Sequence, residues 1–134
     1  MSAIGSRFVS GDFNADGKDD LATMYDYAGD LVRIHVWLST GSAFTYQGDL
    51  GWWSQTSGYN ISSVGAHFRA GDVDADGDSD IATLFNVNGS AARIDVFTST
   101  MSDFDAPLAW WSTTSGYNTS NVSGRFATGG VSGQ

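Results

Sequence analysis

The sequence contains two copies of one pattern about 60 residues long, and this repeat is the strongest constraint on its fold. The segment GDFNADGKDDLA at residues 11–22 returns as GDVDADGDSDIA at residues 71–82, 60 positions later. The segment GWWSQTSGYN at 51–60 returns as AWWSTTSGYN at 109–118, 58 positions later, so the second copy has a two-residue deletion. A period of this length is typical of propellers and arrays, in which each unit buries its faces against its neighbours.

The composition favours an all-β fold. Seventeen glycines, a single lysine, no glutamate and many Ser, Thr, Val and aromatic residues disfavour helices. Turn sequences such as NADG, TGS and VNGS separate four strand-like runs in each copy. These runs are predicted at about 6–12, 20–27, 31–39 and 43–53, and at about 67–73, 80–87, 91–99 and 103–111. Four strands per unit is the content of one propeller blade.

The repeat predicts a single two-blade propeller unit over residues 1–134. The predicted parts are a first blade at about 6–65, a second at about 66–123 and an extra strand at about 124–128, where Arg125 and Phe126 restart the pattern of Arg7 and Phe8. Two blades cannot close a ring, because propellers use four to eight. We therefore expect a closed homo-oligomer, with a trimer of six blades favoured, a tetramer second, and the extra strand swapped between subunits. The alternative is a fragment of a longer propeller.

The acidic residues are concentrated in two loops. All fifteen acids are Asp, nine of them within 12–20 and 72–80, and they dominate a net charge of −9. Such clusters repel one another unless a cation lies among them. Oxygen ligands are predicted at Asp12, Asn14, Asp16, Lys18 and Asp20, and at Asp72, Asp74, Asp76, Asp78 and Asp80, with Lys18 and Asp78 contributing backbone carbonyls. Carboxylate-rich ligation in a flexible loop favours Ca²⁺ over Mg²⁺, which predicts two structural Ca²⁺ ions per chain.

An Asp-rich loop can also belong to an EF-hand or form a metal-free Asx turn. An EF-hand is rejected because its twelfth position, normally Glu, is Thr23 or Thr83 and the flanking segments have strand patterns. An Asx-rich turn that satisfies its own backbone without metal remains the alternative.

The pattern F-x-x-G-D-x-[ND]-x-D-G-x-x-D-[LI]-A, followed in the first copy by LSTGSAF, resembles FG-GAP or VCBS-type repeats, the calcium-binding blades of integrin-like β-propellers. This resemblance implies a propeller fold with calcium at the loop positions named above. Such blades occur in adhesins, enzyme accessory modules and lectins, so the family does not fix a function. The paired tryptophans and Gly-Tyr-Asn motifs resemble propeller lectins, including the Psathyrella velutina type.

The repeated aromatic-polar segment suits carbohydrate, because an aromatic face packs on a sugar ring while amides and hydroxyls bond its hydroxyl groups. Adjacent tryptophans on a strand point to opposite faces, so one of each pair is expected in a pocket and the other in the core. The predicted sugar-contacting residues are Trp52, Trp53, Tyr59, Asn60, Trp110, Trp111, Tyr117 and Asn118, with Arg33 and Arg93 on the third strand of each copy. The alternative is that the aromatics pack between blades and the arginines form ion pairs or hydrogen bonds there.

Together these observations predict a non-enzymatic lectin that binds glycans multivalently through an oligomeric propeller. The alternative is a structural or adhesive module with calcium as its only ligand. The sequence has no nucleophile elbow, P-loop, dinucleotide fingerprint or HExxH motif, so no catalytic residue is predicted. Six scattered basic residues argue against nucleic acid, and no apolar run favours membrane insertion. A secreted or cell-surface location is expected, although no signal-peptide pattern opens the sequence.

Overall fold

A computed structural model describes residues 7–27, 31–56, 59, 61–64, 67–122 and 126–127. The strands are β1 (Phe8–Gly11), β2 (Asp20–Tyr27), β3 (Leu31–Ser39), β4 (Phe44–Tyr46), β5 (Trp53–Gln55), β6 (Phe68–Gly71), β7 (Asp80–Asn86), β8 (Ala92–Phe97) and β9 (Leu108–Ser112). Single-turn 3-10 helices lie at Ile61–Ser63 and Thr119–Asn121. Within these ranges, no helix is long and apolar enough to cross a membrane.

Each repeat forms one antiparallel sheet. In the first sheet the order is β1-β2-β3-β4, and β5 also pairs with β3; in the second it is β6-β7-β8-β9. The central strands β2, β3, β7 and β8 are largely buried and rich in β-branched and aromatic residues, whereas β4 and β9 are exposed throughout. The all-β prediction is confirmed, and the two sheets are consistent with a pair of propeller blades.

The fourth strand of the first repeat differs from the prediction. Instead of one strand at 43–53, β4 pairs with one end of β3 and β5 pairs with the other. Gly48 and Gly51 lie between them with φ of 101° and 70°, a conformation that side chains disfavour. A Cβ on Gly51 would lie 2.4 Å from the Ile34 carbonyl oxygen, so the chain can turn back against β3 only with glycine there.

The fourth strand of the second repeat begins later than predicted. Residues 103–107 precede β9, and Phe104 makes only an isolated bridge with Ser99. Pro107 lacks a backbone N–H and cannot donate to a strand ladder, which explains why pairing starts at Leu108. β9 then pairs with β8 through a register shift between Ile94 and Asp95.

The core lies between the two sheets. Alternate residues of β2 and β3 form the buried face of the first sheet, among them Met24 and Ile34, which are fully buried. Phe68, Ile81 and Phe97 form the facing surface of the second sheet and are also fully buried. Burial of this apolar area is the main term stabilising the contact between the repeats.

Aromatic rings from the first repeat fill the space between the sheets. Trp53 packs edge-on against Phe97, with ring centroids 4.9 Å apart, and Tyr59 packs on Phe85 at 5.0 Å. The Tyr59 hydroxyl is hydrogen-bonded to Thr83 Oγ1 at 3.2 Å. Buried aromatic pairs of this kind add to the energy of burial itself, so this junction is a specific contact between the sheets.

Some predicted features fall outside the described residues. The predicted boundary between the blades lies at Gly65 and Ala66, and most of the predicted extra strand, including Arg125, also lies outside them. Phe126 and Ala127 are described and have no strand conformation.

We expect Trp53→Ala to lower the free energy of unfolding by about 3–5 kcal/mol, because it leaves a cavity between the sheets. The matched control is Trp111→Ala, at the equivalent exposed position of the second repeat, which should change it by about 1 kcal/mol or less in dilute protein. Urea unfolding followed by tryptophan fluorescence measures both. Equal losses would contradict the placement of Trp53 in the core.

Candidate functional site

The first acidic loop joins β1 to β2 and is organised by its own carboxylates. Asp12 accepts hydrogen bonds from the backbone N–H groups of Asp16 at 3.1 Å and Gly17 at 2.8 Å. Asp16 Oδ1 accepts from the Lys18 N–H at 2.9 Å. Ala15 and Gly17 have positive φ values of 61° and 86°, which turn the loop sharply enough to bring these oxygens together.

The second acidic loop, between β6 and β7, has the same geometry. Asp72 accepts from the N–H groups of Asp76 at 3.0 Å and Gly77 at 2.9 Å, and Asp76 Oδ1 accepts from Asp78 at 3.2 Å. Ala75 and Gly77 repeat the positive φ values, at 60° and 100°. The same local sequence therefore folds twice into the same turn.

A fully buried carboxylate closes each loop at the first residue of the following strand. Asp20 Oδ2 accepts from the Phe13 N–H at 3.0 Å, and Asp20 Oδ1 accepts from the Ser39 N–H at 2.8 Å. Asp80 accepts equivalent bonds from the N–H groups of Val73 at 3.1 Å and Ser99 at 2.9 Å. Each carboxylate thus ties its loop to the distant end of the third strand of its sheet.

Oxygens converge in both loops. Carboxylate oxygens of Asp12, Asp16 and Asp20 lie within 4.8 Å of one another, as do those of Asp72, Asp74, Asp76 and Asp80. The Asn14 side-chain amide lies beside them, with its nitrogen placed to donate to Asp12 Oδ1 and Asp16 Oδ1, each at 3.1 Å. In the second loop, Asp78 Oδ1 is buried without a hydrogen-bond partner. An acceptor-only set of hard oxygens fits a metal ion of the oxygen-preferring class.

The two loops differ in electrostatics. In the first, Lys18 forms an ion pair with Asp16 at 3.5 Å, and the N–H bond from Lys18 lowers the pKa of Asp16. In the second, burial and then Asp74 and Asp76 raise the pKa of Asp80 to about 7. Burial and then Asp76 also raise the pKa of Asp78 to about 7. The second loop therefore has the greater need for a compensating cation.

Comparison with known proteins finds a family model that matches the part of the chain containing the first acidic loop. Residues 4–37 match the FG-GAP repeat. The matched FG-GAP segment contains β1, the first acidic loop, β2 and most of β3, so it includes the oxygen cluster of Asp12, Asp16 and Asp20. No curated protein and no solved structure matches the chain. The loop after the FG-GAP match, in the second repeat, has the same hydrogen bonds and a fuller set of carboxylates.

The predicted sugar-contacting aromatics of the first repeat lie in the core. Trp52, Trp53 and Tyr59 are 4%, 8% and 2% exposed, so none presents a ring face to solvent, and Asn60 lies outside the described residues. Trp52 and Trp53 both line a small cleft of about 230 Å³ beside Leu50 and Asp103, so a sugar contact of this pair stays a prediction. Trp52 precedes β5, so strand alternation does not apply, and it packs on Phe104 at 5.3 Å.

The equivalent residues of the second repeat are exposed. Trp110, Trp111 and Tyr117 are 51%, 41% and 37% exposed, and Asn118 is exposed beside them. The rings of Trp111 and Tyr117 contact each other at 5.3 Å. They lie at a cleft of about 490 Å³, which is also lined by Leu84, Ile94, Val122 and Phe126. The same sequence motif is therefore buried in one copy and open in the other.

The two arginines have different partners. Arg93 Nε donates to both oxygens of the buried Asp95, at 2.9 and 3.0 Å, and its guanidinium lies 4.1 Å from the Phe85 ring centre. Arg33 donates to the Asp49 carbonyl at 2.9 Å and lies 5.0 Å from the Tyr27 ring centre. Arg93 thus occupies the ion-paired position between the sheets that the sequence left open as an alternative.

An aromatic cleft lies on the outer face of the first sheet and was not predicted from the sequence. The cleft has a volume of about 530 Å³ and is lined by Tyr25, Tyr27, His35, Trp37 and Tyr46. The signal was the alternation of aromatic residues on two successive strands. Assembling these residues required the β2–β3 register, which pairs Leu21 with Trp37 and Thr23 with His35.

His35 joins two tyrosines in this cleft. Its Nε2 lies 2.8 Å from the Tyr27 hydroxyl, and its Nδ1 lies 3.1 Å from the Tyr46 hydroxyl. Tyr46 donates its proton to Asp49 at 3.0 Å, so a neutral His35 donates from Nδ1 and accepts from Tyr27 at Nε2. Burial lowers the pKa of His35, and burial together with Asp49 raises the pKa of Tyr46 to about 12. These shifts favour the neutral histidine and the protonated tyrosine at pH 7.

The raised pKa values of the second loop predict how stability depends on pH without metal. Asp78 and Asp80 have folded pKa values of about 7 against an ordinary 3.8, so between these pH values the folded state binds more protons than the unfolded state. We expect the urea midpoint in EDTA to rise as the pH is lowered from about 8 to about 5. Asp78→Asn should weaken this dependence, and a midpoint that falls with acidification over this range would contradict it.

Proposed function

We propose that the chain is a non-catalytic, calcium-stabilised β-propeller module whose ring is completed by further copies. The observation that carries this proposal is the convergence of acidic oxygens in two loops of equal geometry, one of them within an FG-GAP repeat. The ligands proposed for the first ion are Asp12, Asn14, Asp16, Asp20 and the Lys18 carbonyl. Those for the second ion are Asp72, Asp74, Asp76, Asp80 and the Asp78 carbonyl. An extracellular setting would keep loop sites of moderate affinity loaded.

The proposed ions have a structural consequence beyond their loops, because hydrogen bonds connect the two sites. Asp80 accepts from the Ser99 N–H, and the Ser99 hydroxyl donates to the Phe13 carbonyl at 2.6 Å. The Phe13 N–H donates in turn to Asp20. An ion that fixes either carboxylate therefore also stabilises the junction between the two sheets.

The chemistry of the loops supports a structural role rather than catalysis. Metal-assisted catalysis needs an open coordination position beside an acid or base. Asp12 and Asp72 are proposed as ligands, and each already accepts hydrogen bonds from backbone N–H groups of its own loop. A group fixed in this way is suited to holding an ion and a turn.

We expect Ca²⁺ to raise the melting temperature, with a stabilisation of about 2.7 kcal/mol at a free concentration one hundred times the Kd. Calorimetric titration should give two ions per chain, and Asp76→Ala should leave one. Asp16→Ala and Asp76→Ala should lower stability in calcium and change it little in EDTA.

Asp103→Asn, an exposed substitution outside both loops, is the control and should leave the calcium response unchanged. Equal destabilisation of the loop variants in calcium and EDTA would contradict the proposed ligation.

A second candidate function, carbohydrate binding, is favoured by the outer cleft rather than by the repeated tryptophan motif. The residue equivalent to Tyr27 in the second repeat is Val87. Tyr46 lies two residues after Phe44, whereas the residue two positions after Phe104 is not aromatic. Packing between repeats therefore does not require these tyrosines. Aromatic faces beside hydroxyl groups form a suitable lining for a sugar.

A glycan array of the calcium-loaded protein tests this second function. Binding to a related set of sugars should be lost in Tyr27→Phe and Tyr46→Phe, because each removes a hydroxyl of the cleft and keeps the ring. Val87→Ala, at the exposed position equivalent to Tyr27 in the second repeat, is the control and should bind as the wild type does. A silent array, or equal binding by all three variants, would remove the cleft as a sugar site.

A further inference from the structure

The contact between the two sheets of one chain shows which residues would form the same kind of contact between two chains. Aromatic contacts cross it from the last part of the first repeat to the second repeat. They include Trp52 with Phe104 at 5.3 Å, Trp53 with Phe97 at 4.9 Å and Tyr59 with Phe85 at 5.0 Å. A backbone bond from the Phe104 N–H to the Trp52 carbonyl, at 3.0 Å, runs beside them. The junction is therefore defined by contributing residues on one sheet and receiving residues on the other.

The contributing surface occurs a second time, and among the described residues no sheet covers this second occurrence. The residues lining the cleft on the second sheet are Leu84, Ile94, Trp111, Tyr117, Val122 and Phe126. Their equivalents in the first repeat are Met24, Ile34, Trp53, Tyr59, Val64 and Phe68, all buried in the core. Every residue of this lining thus corresponds to one that the first repeat buries. We call this surface, together with Trp110, the contributing face.

The receiving surface also occurs a second time. The equivalents of Phe85, Phe97 and Phe104 are Tyr25, Trp37 and Phe44. Tyr25 and Trp37 line the outer cleft of the first sheet, and Phe44 is 52% exposed. We call the surface of Tyr25, Trp37 and Phe44 the receiving face.

We propose that the contributing face of one chain binds the receiving face of a second copy, head to tail. In this interface Trp110 contacts Phe44, Trp111 contacts Trp37 and Tyr117 contacts Tyr25 of the adjoining copy. The proposal rests on the propeller-module part of the proposed function and names the surfaces that complete the ring. A copy bound there covers Tyr25 and Trp37 of the outer cleft, so this interface and sugar binding in that cleft exclude each other. The interface does not depend on the identity of the metal.

Two features of the chain favour a second copy over another occupant. Both faces lie on the same chain, and the junction already formed within it shows that a Trp-Trp-Tyr set packs against three aromatic rings at these positions. The faces are different surfaces, so the contact is heterologous, and addition of copies continues until a ring closes. Each chain adds two sheets, so three or four copies correspond to six or eight blades.

The experiment measures mass in solution, by light scattering and sedimentation velocity, for the whole chain in calcium. The wild type should have the mass of three or four chains. Trp111→Asp on the contributing face and Phe44→Asp on the receiving face should each reduce it to one chain, because each buries a charge against an aromatic partner. Circular dichroism and calcium titration confirm that each variant is folded, and Tyr117→Arg and Trp37→Glu are second choices for the same two faces.

Mixing the variants tests the head-to-tail geometry. Trp111→Asp keeps an intact receiving face and Phe44→Asp keeps an intact contributing face, so an equimolar mixture should form a dimer of one chain of each. Leu108→Asp is the matched control, because its equivalent Leu50 remains 73% exposed beside the junction within the chain. This variant should keep the wild-type mass.

Three outcomes would overturn the proposal. A folded wild type that stays monomeric at about 100 μM would mean that another protein or a further blade covers these faces. An oligomer unaffected by both aspartate variants would place its interface elsewhere. A dimer formed by either variant alone would show an isologous interface. Failure of the proposed metal binding is separately visible, because it would abolish the calcium response and leave the pattern of masses unchanged.

Discussion

The structure depends on two fully buried carboxylates, Asp20 and Asp80, each of which accepts backbone hydrogen bonds from two distant segments. A carboxylate without partners is costly to bury, so each one forces its acidic loop and the end of the third strand of its sheet to meet. Ser99 and Phe13 then link the two carboxylates across the sheets. Loop conformation, hairpin pairing and the sheet junction are therefore parts of one hydrogen-bonded unit.

The negative charge of this unit suits the binding of a cation. Buried or crowded carboxylates raise one another's pKa, and the second loop contains more of them than the first. A bound cation relieves that repulsion and stabilises the folded chain by mass action. The acidic loops therefore affect stability without any catalytic role, and the proposed ions would also stabilise the contact between the repeats.

Several features could be predicted from the sequence because they are local. Strand-like residue patterns bounded by turn residues, found in both repeats, predicted β2 and β3 at their observed bounds. The spacing of the acidic residues in the loops predicted the oxygen clusters. The division of the fourth strand could not be predicted in this way, because it depends on how closely Gly51 approaches the Ile34 carbonyl. The outer aromatic cleft was missed for a similar reason, since it requires the register between two strands.

The sequence by itself determined the all-β repeat and the two acidic loops, because residues within a few positions of each other form these features through their own hydrogen bonds. Only the tertiary structure decided the environment of the repeated Trp-Trp and Gly-Tyr segments. Trp53 is 8% exposed and Trp111 is 41% exposed although their local sequences are nearly the same. The difference arises because burial depends on what lies opposite a residue: the second sheet covers the first copy, and within the described chain no sheet covers the second.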